Sequence, residues 1–150
     1  MRKQYLRRYT DIPTLISLLC KRKITLLDPA SWDDKNDSRF LALYKQKKKL
    51  RSVLALCFIQ ANERYHHWRV FANGAAGACI RFDRPKLLKV VEKQKGVQKG
   101  PVTYLTRAKT RDKPPEVGEL PFLKRYGFKD ENEFSNYLRI TDCGFGPSRY

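Results

Sequence analysis

Acidic side chains are scarce in this sequence: 15 Asp and Glu stand against 32 Lys and Arg, a formal net charge of +17. The four cysteines include no CxxC pair, which removes the zinc ribbons. No glycine-rich loop follows an apolar run, so Walker and Rossmann phosphate sites are excluded. No apolar stretch approaches the roughly 20 residues of a membrane helix. The opening MRKQYLRRYTD is basic but is not followed by an apolar h-region and cleavage site, so a signal peptide is not expected. Internal repeats are also lacking.

What remains is a 150-residue chain that is 41% hydrophobic and 12% aromatic. That is enough for one domain with a real core. The basic excess gathers in runs at residues 21–23, 45–51 and 93–99. A field of this sign attracts polyanions, nucleic acid first. The cysteines are spaced as small core residues or isolated thiols, which fits a reduced, cytoplasmic setting.

Pattern along the chain predicts an α+β domain, a single small mixed sheet flanked by short helices. An opening strand runs through KQYLRRY. Thr10 or Asp11 caps a helix to about Lys21, with Pro13 in its first turn. ITLL reads as a short strand and DPASWDDKNDSRF as a loop, and Ser38 caps a helix through RFLALYKQKKK. SVLALCFIQ reads as a central strand, NERYHHWRVFA as a helix, and ACIRF as the next strand after the NGAAG break. A short helix follows Pro85, and PVTYLT is a strand. RAKTRDKPPEVGE reads as a mobile loop, and LPFLKRYGF with DENEFSNYL as two short helices or one broken helix.

Three clusters carry possible chemistry. His66 and His67 are adjacent, so on a helix their side chains diverge by about 100° and cannot share one metal ion. His67 falls beside Phe71 and is the better acid–base candidate, or else a packed histidine that orients Trp68. Trp68 with Arg69 can stack a base, or Trp68 can be core. Asp33, Asp34 and Asp37 beside Trp32 can form a catalytic or cation-binding turn paired with Arg7 or Arg8, or simply cap a helix. Glu131 and Glu133 share one face if the segment is a strand; otherwise they pair at the surface with Lys124, Arg125 and Lys129.

The order of motifs resembles a known family. LRRYTDIPTLISLLCKRKITLLDPASWDDKNDS, then LALCFIQANERYHHWRVFANGAAGACIRFD, then VTYL and PFLKRYGFKDENEF, are similar to the bacterial and phage-borne family called domain of unknown function 2971. The resemblance covers roughly residues 5–134 and implies no activity. Ser135 stands where the family pattern has Arg, and NYLRITDCGFGPSRY departs from the strand that pattern expects. The expectation is therefore a family-like domain over residues 1–134 and an atypical, truncated or altered, poorly ordered tail over 135–150. More faintly, an early Arg, an aromatic-rich middle and a late Glu-x-Glu resemble ADP-ribosyltransferase folds, without their Ser-Thr-Ser motif. That likeness implies an arginine contacting NAD and a glutamate stabilising an oxocarbenium-like centre.

Two functions follow as expectations. One is a cytoplasmic nucleic-acid-associated domain gripping phosphates through Lys45, Lys47, Lys48, Lys49 and Arg51, with Trp68 and Arg69 available to bases. The other is a nucleotide- or nucleic-acid-modifying enzyme, such as a phage or defence effector, using Arg8, Asp33, Asp37, His67 and Glu133. An inactive stable domain is the third reading. No cofactor or metal follows from the sequence.

Overall fold

The computed structural model describes residues 5–31, 35–72 and 74–140, with side-chain surroundings for all of these except 35–37 and 135–140. Asp33 lies outside the described residues, and of Asp37 only the backbone, inside a helix, is described.

Five strands form one antiparallel sheet in the order β3-β1-β2-β7-β4: β1 (Tyr5–Asp11), β2 (Ser52–Ile59), β3 (Gly77–Asp83), β4 (Val97–Pro101) and β7 (Glu133–Ile140). The parallel pair β5 (Thr103–Leu105) and β6 (Leu123–Arg125) forms a separate two-stranded sheet. The architecture is α+β. The mixed character expected of one sheet is divided between two.

Helix α1 (Ile12–Lys21) starts where Asp11 accepts a 2.7 Å bond from the Thr14 amide, with proline in its first turn. Helix α2 (Lys35–Lys47) packs Leu41 and Tyr44 against Val53 and Ala55 of β2 and against Leu120 and Leu123. Successive side chains along β2 alternate between the faces, so residues an odd number of positions from Val53 and Ala55 point to the opposite one. There Leu56 and Phe58 meet Leu6, Phe134 and Leu87 of α4 (Arg84–Glu92). β2 is therefore the central strand, buried on both sides, as its apolar run implies. Helix α3 (Tyr65–Phe71) covers Tyr9 and Ile59 with Trp68 and Phe71. Tyr65 is 76% exposed and does not share that face.

Three sequence expectations are corrected. ITLL is not a strand: only Leu27 bridges, to Ala55. The loop predicted at 107–119 contains helix α5 (Arg107–Asp112), capped by the Thr106 hydroxyl, and a 3-10 turn with a Glu116–Glu119 capping box. DENEFSNYL is a strand end rather than a helix: Glu133–Ile140 pairs with β2 on one side and β4 on the other. Ladders on both edges outweigh the local helical spacing. Residues 135–140, assigned by sequence to the tail, thus sit inside the sheet. Residues 141–150 lie outside the described set.

Candidate active site in the opening between β1 and β2

β1 pairs with β3 along its whole length, from Tyr5–Asp83 to Asp11–Gly77. Its pairing with β2 is confined to Arg7–Ile59 among the described residues. Further along β2, Leu27 takes the place of β1, exchanging backbone hydrogen bonds of 2.9 and 2.8 Å with Ala55. The sheet is open between these two points. A cavity of about 550 Å³ occupies the opening. It is lined by the consecutive residues Arg7, Arg8 and Tyr9, whose side chains alternate between the two faces of the sheet, so the cavity is reached from both. Leu27, Leu56, Ile59, Phe71 and Phe128 form its apolar walls.

Lys124, Glu131 and Glu133 form the charged wall. They are 8%, 3% and 2% exposed. Lys124 Nζ lies 2.8 Å from Glu133 Oε1 and 3.4 Å from Glu131 Oε2. Lys124 is supplied by β6. Glu131 closes a 3-10 turn, and Asn132 at φ 45° turns the chain so that Glu133 begins β7. That left-handed residue lets two carboxylates on either side of it reach one ammonium group. The turn is held by the Gln60 amide donating to the Asn132 carbonyl at 2.9 Å. The Glu133 amide donates to Tyr104 Oη at 2.8 Å.

Burial is the main cause that pushes the Glu131 carboxyl up to about 8, and the neighbouring Glu133 adds to it against the pull of Lys124. Burial thus favours the protonated form of Glu131, while Glu133 makes the closer contact to Lys124. Burial also lowers the Arg8 guanidinium and raises the Tyr9 and Tyr104 phenols. Arg7 is tied by Nη1 donating to the Ala61 carbonyl at 3.0 Å. Arg8 Nε, Arg8 Nη1 and Glu133 Oε2 are buried with no hydrogen-bond partner. Groups of this kind are normally satisfied, so their concentration on one cavity marks a place for an outside partner.

Of the residues singled out in the sequence, Arg8 and Glu133 both line the cavity. His67 is 1% exposed and lies 5.5 Å from the Tyr9 ring, behind the cavity wall. Burial lowers its pKa, with His66, Arg64 and Arg7 adding to the effect. Trp68 stands edge-on to Tyr9 and donates to Glu63 at 2.8 Å, while Arg69 is exposed beside Tyr65. Lys45, Lys47, Lys48, Lys49 and Arg51 are exposed at the far end of β2. One of the two sequence readings put Glu131 and Glu133 at the surface with Lys124. Lys124 is indeed their partner, but the cluster is buried: Lys124 lies on β6 beside β5, and Glu131 and Glu133 flank the turn at Asn132. Among the described residues, no group of His, Cys, Asp and Glu has the arrangement of a metal site. No described helix is long and apolar enough to cross a membrane.

No family model, curated protein or solved structure matches the chain.

Proposed function

We propose that the cavity is the active site of an enzyme acting on a nucleotide or on nucleic acid. The observation that carries this reading is that one cavity of about 550 Å³ is lined by both Arg8 and Glu133, each with an unpartnered buried atom. Pockets of roughly 300–1,000 Å³ take ligands of nucleotide size. The two ends differ in the way a nucleotide does. Arg8 offers donors to a phosphate, Phe71 and Phe128 offer apolar area to a base, and Glu133 accepts from a sugar hydroxyl.

The chemistry best matched to this set is glycosyl transfer. The bond from the sugar anomeric carbon to its base breaks, and the electron pair leaves with the base. The Glu133 carboxylate opposes the positive charge that develops on the sugar. Water or another nucleophile then adds to the same carbon and loses its proton to solvent. Glu131, whose carboxyl burial pushes toward the protonated form, can donate a proton to a basic leaving group. His67 positions Tyr9 and is outside the reacting groups.

The test is incubation with radiolabelled NAD and with labelled DNA and RNA, following base release and label transfer. Wild-type turnover that is abolished in Glu133→Gln, with saturable nucleotide binding weakened in Arg8→Met, is the expected result. Absence of both turnover and saturable nucleotide binding in the wild type refutes the reading.

A further inference from the structure

Two stretches of the chain, residues 38–62 and 93–111, contain no Asp or Glu at all. The fold joins their most basic parts. Ser52 opens β2 opposite Ile140, and Val97 opens β4 opposite Leu138, which in turn faces Leu54. β2 and β4 therefore enter the sheet from the same end, with β7 between them. Two strand spacings, about 10 Å, separate the segments that lead into them. Those segments carry Lys47, Lys48, Lys49 and Arg51 on one side and Lys93 and Lys95 on the other.

All six side chains belong to exposed residues, and none makes an ion pair among the described residues. Lys99, by contrast, is engaged with Glu92. Both segments turn sharply, through Lys49 at φ 51° and Gly96 at φ 80°. Helix α2 approaches from one face of the sheet and α4 from the other, so the cations bracket the sheet end from both sides. A lysine near a helix C-terminus is commonly explained by the helix dipole. That accounts for Lys45 and Lys47 in the last turn of α2, but not for the cations beyond the helices.

We infer that this end of the sheet is a docking surface for the phosphate backbone of a nucleic acid. The six cationic residues offer no ring for stacking, so the grip reads charge spacing and not sequence. The surface is separate from the cavity. The cavity reaches along β2 only as far as Ala55, three residues or about 10 Å at strand rise from Ser52, and none of the six cations lines it. The inference stands whether or not the cavity proves catalytic.

The experiment is fluorescence anisotropy with labelled single- and double-stranded oligonucleotides over roughly 50–200 mM salt. A variant carrying Lys47→Gln, Lys48→Gln, Lys49→Gln, Lys93→Gln and Lys95→Gln is compared with one of equal charge loss, Lys21→Gln, Lys23→Gln, Lys86→Gln, Lys109→Gln and Lys113→Gln. Circular dichroism checks that both fold. The first variant is expected to lose at least about tenfold in affinity and to flatten the salt slope by roughly 0.7–0.9 for each phosphate contact removed. The second should stay within about threefold of wild type, as long-range field effects are screened. Equal losses in the two variants overturn the inference, because net charge would then explain binding. So does tight, variant-sensitive binding to phosphatidylserine vesicles with none to nucleic acid.

Discussion

Lys124 Nζ lies 2.8 Å from Glu133 Oε1, and both side chains are almost closed to solvent. One ammonium group also faces Glu131 at 3.4 Å. Removing it leaves two buried carboxyls without a counter-charge. Lys124→Met should therefore destabilise the protein by about 3–5 kcal/mol. Urea denaturation at pH 7 measures the loss. The gap from wild type should narrow at pH 5, where the carboxyls take up protons.

Glu131 has its own pH signature. Its folded pKa, raised to about 8, lies above that of an unfolded glutamate, so the folded state binds the extra proton. The stability linked to that proton is complete below the unfolded pKa near ~4.3 and is lost as pH rises through about 8. Wild-type stability should fall over that window. Glu131→Gln, neutral at every pH, should show a flatter profile by thermal melting.

His67 works in the opposite sense. Its folded pKa is depressed by burial, so its contribution is present above the unfolded value and is lost as pH falls. His67→Phe should reduce the loss of stability on acidification below about pH 6.5. A profile unchanged from wild type would show that His67 is not held neutral by the fold.

Arg8 separates binding from stability. Two of its nitrogens are buried without partners, so the residue adds little to the folded state. Arg8→Met should leave the melting temperature unchanged or higher. If Arg8 contacts a phosphate, nucleotide affinity should drop by about 10- to 100-fold, the equivalent of ~1.5–3 kcal/mol for a charged hydrogen bond. Paired melting and calorimetric titrations give both values.

Gly77 tests the turn between α3 and β3. A Cβ there would stand 1.9 Å from the Ala72 carbonyl oxygen, which is backbone and cannot swing away. Gly77→Ala should cost at least about 1–3 kcal/mol. Denaturant midpoints measure it. Gly118→Ala, with open space at its Cβ, is the control.

The parts of the fold legible in the sequence are those whose local signals agree with their tertiary use. Residues 52–60 read as a central strand because an apolar run of that length suits burial on both faces, and Val53 and Phe58 are indeed buried on opposite sides. Asp11 with Pro13 marks the start of α1 for the same reason.

The rest depended on partners far away in the chain. Nothing local makes residues 133–140 a strand; ladders to β2 and β4 do. Lys124 looks like a surface lysine until β5 and the 131–133 turn enclose it. The opening between β1 and β2 exists because Leu27 bridges to Ala55, and no spacing in the sequence announces that bridge. Composition and periodicity by themselves determined an α+β domain with a strongly positive field, since charge and apolar period are properties of the chain. Only the tertiary structure decided which charges are buried together and which are gathered at one end of the sheet, because burial and proximity arise from long-range pairing.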